Sequence, residues 1–207
     1  MKFQLKQDDL IRQLDELAKK NREIRLIIKK MGYPKSRRKP CSFKTLADIV
    51  IGQQVNTKAA QSISTKLNNL CGNDLTPGEF LRIPEDVQIS IGLSRQKRRY
   101  INALARRIID GHLSILGLRT ASDKSVFNQI TSVIGFGPWS AQMYLIFSLG
   151  RIDIWPAGDL GVRSGLAKIF NLGDRPSEKE ADSMGDRFKP YRSSLALLAW
   201  HSLENAP

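Results

Sequence analysis

The sequence predicts an all-α fold, and three observations support this prediction. Apolar residues recur with the 3.6-residue period of an α-helix along most of the chain, no segment alternates apolar and polar residues as a half-buried strand does, and prolines fall between the periodic segments. The chain has 207 residues, of which 41% are hydrophobic and 26% charged, so one or two globular domains are expected. No apolar run reaches the ~18 residues of a membrane span, and the N-terminus lacks the apolar stretch of a secretory signal.

The first part of the chain is predicted to contain several helices with clear starting points. The first helix begins near Asp8 or Asp9, and its apolar face is formed by Leu10, Ile11, Leu14 and Leu17. The apolar face of a second helix is formed by Phe43, Leu46, Ala47 and Val50. A third helix is capped near Asn56 or Thr57 and ends at Gly72. A longer helix runs from the N-cap Ser94 to Gly111.

Later helices are predicted over 123–132, 138–149, 158–170, 177–187 and 190–202. Residues 1–42 are expected to form basic N-terminal helices that pack onto a core of residues 43–207.

Basic side chains outnumber acidic ones by 33 to 20, which gives a net charge of +13. The surplus is concentrated in residues 1–44, which hold 14 basic and 5 acidic residues. An excess of this size favours a polyanionic partner such as nucleic acid. The basic segment from Lys35 to Pro40 is either a phosphate-contacting arm or a solvated loop.

Disulfide and metal chemistry receive little support from the sequence. Cys41 and Cys71 are too few for a disulfide framework or a four-thiolate metal site. His112 and His201 have no partner at metal-ligand spacing. We therefore expect reduced thiols and no metal that these side chains would hold.

A glycine-rich segment lies between two of the predicted helices. Gly135 and Gly137 allow positive φ and a close approach of the backbone to a ligand, and Pro138 suits the first position of the following helix. Such a turn directs backbone N–H groups outward and forms an anion site. The alternative is a plain turn between two helices.

Asp159 lies 22 residues after Gly137, at the start of another helical pattern. The helix dipole and the N–H groups of the first turn favour the ionised form of a carboxylate at this position. Taken alone, the position also fits a simple helix N-cap.

Together, the hairpin, the spacing and the aspartate resemble the helix-hairpin-helix (HhH-GPD) DNA glycosylase superfamily. The segment Ile51–Ala60 resembles the family's loop and helix that insert a wedge residue into DNA. The segment Gly92–Ile101 is similar to one found in the 3-methyladenine DNA glycosylase II branch. The resemblance covers about residues 43–202 and implies a two-lobed helical bundle, with a helix-hairpin-helix motif and a cleft between the lobes.

The resemblance implies roles for two residues in the reaction. Asp159 would be the catalytic residue, a carboxylate that stabilises the positive charge developing on the sugar. Gln54 would be the wedge that fills the gap left by a flipped nucleotide, unless it is only a polar residue at a helix end.

The resemblance also implies contacts with DNA phosphate through backbone amides of the hairpin, at Gly135, Gly137, Trp139 and Ser140. The side chains of Lys97 and Arg163 would contact phosphate, support Asp159 or lie on solvated faces. In relatives, hairpin carbonyls hold a monovalent cation, and the corresponding carbonyls here lie near Ile134 and Gly137.

The damaged base would bind beside Trp139, Tyr191 and Met143. Electron-rich rings attract a cationic base, such as an N3- or N7-alkylated purine, by roughly 0.5–2 kcal/mol. Core packing is the alternative for all three residues. Trp155 and Trp200 are assigned to core packing.

The chain departs from other branches of the family at three points. Trp139 occupies the place of the lysine nucleophile of bifunctional relatives, so no β-lyase activity through that route is expected. The two cysteines cannot hold the four-cysteine iron–sulfur cluster of the endonuclease III branch. We also expect no N-terminal β-domain of the kind that some relatives carry, since only about 42 residues precede the core in this sequence.

The sequence therefore predicts a monofunctional DNA glycosylase of base excision repair. It would flip and excise alkylated purines of the 3-methyladenine and 7-methylguanine type from damaged double-stranded DNA and leave an abasic site. Two alternatives stay open: a glycosylase for uracil, hypoxanthine or mismatched thymine, and a non-enzymatic helix-hairpin-helix DNA-binding module. We expect a cytoplasmic, nucleoid-associated monomer without a catalytic cofactor or a membrane partner.

Overall fold

The computed structural model of the protein describes residues 5–72 and 74–204. These residues form helices joined by short loops, and no strand occurs among them, which confirms the predicted all-α fold. Within the same ranges, no helix is both long and apolar enough to cross a bilayer.

The α-helices are numbered in chain order as α1 (Gln7–Lys20), α2 (Arg22–Met31), α3 (Phe43–Ile51), α4 (Thr57–Leu70), α5 (Pro77–Arg82), α6 (Glu85–Ser90), α7 (Arg95–Ile109), α8 (Ile115–Thr120), α9 (Asp123–Thr131), α10 (Pro138–Met143), α11 (Leu160–Ile169), α12 (Glu178–Gly185) and α13 (Arg192–Glu204). A π-helical turn, Tyr144–Ser148, continues α10, and a 3₁₀ turn, Asp186–Phe188, follows α12.

Three short helices, α5, α6 and α8, were not predicted from the sequence. Each has six residues, too few to establish a 3.6-residue period. Caps provide the local signal for two of them. Thr76 and Glu79 form a capping box at the start of α5, and the Ser114 hydroxyl accepts the Gly117 amide at the start of α8.

Several predicted helices differ from the observed ones in their extent, and two of them show how. The helix predicted over 138–149 keeps α geometry only to Met143 and then passes into the π-helical turn. The helix predicted over 190–202 begins at Arg192 and extends to Glu204. The apolar pattern continues across both boundaries, so it marks neither of them.

The chain clusters into two compact units. The terminal unit comprises the residues up to Arg38 and those from Leu145 onward, and the central unit comprises Lys39–Tyr144. The expected boundary after residue 42 stays a prediction. Helix α1 contacts α13, and α2 contacts α11 and α13, around a shared hydrophobic core.

The core of the terminal unit combines both ends of the chain. Its fully buried side chains include Leu10, Leu14, Val162, Leu166 and Leu198. Because α1 and α13 supply facing parts of one core, neither end of the chain buries its apolar face without the other.

Helices α11 and α13 approach each other closely through glycine. A Cβ atom at Gly165 would lie 2.2 Å from the carbonyl oxygen of Ala199, so only glycine fits there. Gly161, one turn earlier on the same face of α11, lies against Trp200. This approach places side chains of α13 next to the N-terminus of α11.

In the central unit, α3 packs against α4, α7 and α10, and α5 packs against α7. Leu46, Phe80 and Ile101 are fully buried in this unit. Helix α10 also contacts α9, and the glycine-rich hairpin connects these two helices in the chain. The central unit thus holds both the hairpin and the loop between α3 and α4.

Candidate functional site

The glycine-rich hairpin joins α9 to α10. Gly135 has a φ of +87°, which favours glycine, and a Cβ atom there would lie 2.1 Å from the ring of Tyr100. Gly137 has a φ of −87° and open space around its Cα, so the predicted positive φ is found at Gly135 but not at Gly137. Gly137 is the N-cap residue of α10 and makes no side-chain hydrogen bond to the first turn of the helix. At this end of α10 the hairpin therefore offers backbone groups rather than a capping side chain.

Gln54 lies at the exposed tip of the loop between α3 and α4. Its φ is +56°, a left-handed conformation that costs a non-glycine residue about 1–2 kcal/mol. Exposure and a strained backbone at the same residue are typical of a functional loop tip.

Two side chains hold the α3–α4 loop in place. Lys97 donates from Nζ to the carbonyl oxygen of Ile51 at 2.7 Å, where α3 ends, and burial lowers the pKa of the Lys97 amine. Gln53 donates from Nε2 to the Gly135 carbonyl at 2.9 Å and to the Ser140 hydroxyl at 3.2 Å. Gln53 therefore ties the loop directly to the hairpin, a role that was missed from the sequence.

The predicted site residues of α10 differ in their exposure. Trp139 is half-buried, and Met143, one turn later, is 5% exposed, so core packing also accounts for Met143. Ser140 is 1% exposed, and its hydroxyl accepts a hydrogen bond from Gln53. Contacts of these residues with a base or a phosphate stay predictions.

The monovalent cation was predicted at hairpin carbonyls near Ile134 and Gly137. The Gly137 carbonyl already accepts the Ala141 amide at 3.2 Å. Elsewhere in residues 5–72 and 74–204, no group of three or more His, Cys, Asp or Glu side chains is arranged to hold a metal ion. The cation stays a prediction.

In the terminal unit, Asp159 is the N-cap of α11. Its Oδ1 atom accepts two hydrogen bonds, from the Val162 amide at 2.8 Å and from the indole Nε1 of Trp200 at 2.8 Å. The helix dipole and both donors stabilise the charged carboxylate. Trp200 packs against the hydrophobic core as predicted, and its N–H group also holds Asp159, a role that was missed from the sequence.

Arg163 and Tyr191 also lie in the terminal unit. Arg163 donates from Nη1 to the carbonyl oxygen of Pro176 at 3.2 Å, so it supports the segment before α12. Tyr191 is half-buried against the core, directly before α13. A phosphate contact by Arg163 and a base contact by Tyr191 stay predictions.

Two arginines of the basic Lys35–Pro40 segment serve the terminal unit itself. Arg37 forms an ion pair with Glu204. Arg38 donates to the carbonyl oxygen of Ser148 at 2.6 Å. These two side chains therefore make contacts within the protein, and a contact of the segment with phosphate stays a prediction.

A family model for the HhH-GPD superfamily of base excision DNA repair proteins matches residues 47–190. This range includes the α3–α4 loop, the hairpin and Asp159. The match confirms the resemblance inferred from the motifs.

Two curated proteins are similar to the chain over most of its length. The DNA-3-methyladenine glycosylase of Saccharomyces cerevisiae is 31% identical, and the aligned region covers 87% of this chain and 72% of that protein. The Bacillus subtilis protein YfjP is 25% identical over 78% of this chain, which spans 59% of YfjP.

The fold is similar to that of a solved 3-methyladenine DNA glycosylase from Schizosaccharomyces pombe, determined in complex with abasic DNA. The TM-score is 0.85 at 24% identity, and the match covers 91% of this chain and 95% of that one. On the family match and the yeast relative together, the chain belongs to the HhH-GPD superfamily of base excision DNA repair proteins.

Proposed function

We propose that the protein is a monofunctional DNA glycosylase that excises alkylated purines, of the 3-methyladenine and 7-methylguanine type, from double-stranded DNA and leaves an abasic site. The observation that carries the proposal is the carboxylate of Asp159, fixed at a helix N-terminus by two N–H donors in a chain of this family. The names of the relatives as DNA-3-methyladenine glycosylases support the choice of substrate.

The reaction breaks the bond between C1′ of the sugar and a ring nitrogen of the base. The base leaves with the bonding electrons, and the sugar acquires oxocarbenium character in the transition state. A preorganised carboxylate at Asp159 stabilises this positive charge, and it orients the water whose oxygen bonds to C1′. The water releases a proton to solvent as the abasic sugar forms.

An alkylated purine needs no general acid. A purine methylated at N3 or N7 is cationic, so it leaves as a neutral molecule once it takes the bonding electrons. Trp139 and Tyr191 would select it, because the face of an aromatic ring attracts a cationic base by roughly 0.5–2 kcal/mol more than a neutral one. Met143 would offer the base an adaptable apolar surface.

The chemistry requires the nucleotide to leave the base stack. We assign Gln54 to the vacated position, because its exposed loop tip is suited to insertion and its amide can hydrogen-bond the orphaned partner base. The hairpin backbone at Gly135 and Gly137 would bind a nearby phosphate. In this proposal the protein acts as a monomer on nucleoid DNA.

The proposal excludes strand cleavage through a Schiff base formed on the hairpin helix. Trp139 stands where bifunctional relatives carry the nucleophilic lysine, and an indole cannot form that intermediate. The product is therefore an intact strand with an abasic site, which breaks only after treatment with alkali.

The test is a base-release assay on duplexes that contain 7-methylguanine, 3-methyladenine, hypoxanthine or uracil, read with and without alkali. We expect release of the two methylated purines only, with strand breaks that depend on alkali. The variant Asp159→Asn should lose excision by at least ~100-fold while it still binds a duplex with an abasic-site analogue. Unchanged excision by this variant would remove Asp159 from the mechanism.

The other outcomes identify the two alternatives. Release of uracil or hypoxanthine would keep the enzyme class and contradict the cationic-base pocket. Tight binding without release from any duplex would identify a DNA-binding module.

A further inference from the structure

We propose that Trp200 is a positioning residue for Asp159, and that its indole N–H group holds the carboxylate in the orientation used for base excision. This inference rests on the proposed function and names a residue that acts through Asp159. Trp200 lies in the last turns of α13, 41 residues after Asp159 in the chain.

The two hydrogen bonds to Asp159 come from different elements. The Val162 amide belongs to the helix that Asp159 caps, and its bond to Oδ1 satisfies a first-turn donor. A hydrogen bond to a backbone amide fixes one oxygen of the carboxyl group and does not by itself set the rotation about χ2. The Trp200 Nε1 atom reaches the same oxygen at 2.8 Å from α13, so the oxygen has two fixed donors and the rotation is restricted.

Trp200 is itself held in place. Its ring packs on that of Phe147, with the centroids 5.5 Å apart and the planes at 31°. On α11, Gly161 leaves the space that the indole occupies, because a Cβ atom there would lie 2.8 Å from Trp200 Cδ1 and 3.1 Å from Asp159 Oδ1. The indole therefore fits between a ring that supports it and a glycine that makes room for it.

The chemistry of the donor suits this position. An indole N–H group is neutral and cannot accept or lose a proton in the working pH range. It stabilises the carboxylate by a charge-assisted hydrogen bond without the full counter-charge of a lysine or arginine. Asp159 therefore keeps its negative charge available for the oxocarbenium-like sugar.

The test compares two substitutions that each remove one indole N–H group from the terminal unit. Trp200→Phe keeps an aromatic ring against Phe147 and loses the donor to Asp159. Trp155→Phe is the matched control, because the Trp155 Nε1 atom donates at 2.9 Å to the Ala181 carbonyl and has no part in the proposed site. For each variant, the single-turnover rate of 7-methylguanine release is measured at saturating enzyme, together with the Kd for a duplex with an abasic-site analogue.

We expect Trp200→Phe to slow single-turnover excision by about 10- to 100-fold, with the Kd changed by less than about twofold. Trp155→Phe should lower the urea midpoint and leave the excision rate within about twofold of wild type. Replacement of Trp200 by 3-benzothienylalanine, in which sulfur replaces N–H in a bicyclic ring of the same shape, should reproduce the slow rate of Trp200→Phe.

A second variant displaces the indole without removing it. Gly161→Ala inserts a methyl group between the indole and the carboxylate, so it should slow excision even though Ala favours the helix. A wild-type rate for both Trp200→Phe and the benzothienyl variant would overturn the inference, and so would an equal loss in Trp155→Phe. Absence of base release by the wild-type protein would instead contradict the proposed function.

Discussion

Gly135 and Gly137 lie two residues apart in one hairpin, but their backbones impose different requirements. Gly135 has a positive φ and lies under the Tyr100 ring. We expect Gly135→Ala to lower the free energy of unfolding by at least ~1–2 kcal/mol, because the left-handed conformation alone costs an alanine that much and the added Cβ atom also collides with the ring. Urea denaturation followed by circular dichroism measures the change.

Gly137→Ala is the matched control for this prediction. Its φ of −87° is open to any residue, and nothing lies within 4 Å of an added Cβ atom. The free energy of unfolding should therefore stay within about 0.5 kcal/mol of wild type. Equal losses in the two variants would contradict the distinction drawn between the two glycines.

Single residues also show how far the site can be predicted from the sequence. Asp159 could be placed at a helix N-terminus because that signal is local, an acidic residue directly before a helical pattern. The partner Trp200 could not, because no local pattern states which residue of α13 faces α11. The glycine pair at 161 and 165, four residues apart, is a sign of a close helix approach near Asp159.

Gln53 and Gln54 are adjacent and chemically identical, but their roles differ in how far the sequence predicts them. The resemblance singles out Gln54, which lies exposed at the loop tip. Gln53 reaches the hairpin 82 residues away through its bond to Gly135. A contact of that separation depends on tertiary packing, which the composition of the loop does not encode.

At the scale of elements, the α3–α4 loop combines local strain with a proposed function. Gln54→Gly should raise the free energy of unfolding by about 0.5–1 kcal/mol, since glycine avoids the ~1–2 kcal/mol cost of a left-handed backbone at an entropic cost of roughly 0.5–1 kcal/mol. Gln54→Ala keeps the strain and should give no such gain. The comparison is made by urea denaturation.

Both Gln54 variants remove the side chain that would fill the base stack. Excision from duplex DNA should therefore fall more than excision from a single strand, where no gap has to be filled. Equal losses on the two substrates would argue against a wedge at this position, whatever the stability of the variants.

Long helices were predicted well and short ones were not. Helices α7 and α9 have long apolar faces and serine N-caps, which mark their starts in the sequence. Helices α5, α6 and α8 have six residues each and depend on tertiary packing, as does the switch from α to π geometry after Met143. Six residues make fewer than two turns, which is too few to show a 3.6-residue period.

At the scale of the whole molecule, the first 38 residues complete a core that the C-terminal helices also build. Leu10, Leu14 and Ile24 are fully buried there. Burial of a large aliphatic side chain stabilises the folded state by roughly 1.5–3 kcal/mol. The loss of these three buried side chains therefore approaches the ~5–15 kcal/mol of total stability of a typical domain. A chain that begins at Lys39 should therefore lose the cooperative unfolding of its terminal unit.

Thermal denaturation followed by near-UV circular dichroism tests this expectation through Trp155 and Trp200, which both lie in the terminal unit. Binding of a hydrophobic dye should rise at the same time, because the faces of α11 and α13 would be exposed. A sharp transition with the wild-type midpoint would instead identify α1 and α2 as an appended domain.

The net charge of +13 is also a property of the whole molecule, and its contribution to DNA binding can be measured. A protein that neutralises DNA phosphates releases counterions, so the logarithm of the binding constant falls linearly with the logarithm of salt concentration, by about 0.9 per phosphate. If about three phosphates are contacted, binding to an abasic-analogue duplex should weaken about 40-fold between 50 and 200 mM KCl.

Fluorescence anisotropy gives the slope, and the thermal midpoint of the protein over the same range controls for an effect of salt on folding. A flat response would mean that the basic surplus serves contacts within the protein, as Arg37 and Arg38 already do, and that the hairpin does not bind phosphate.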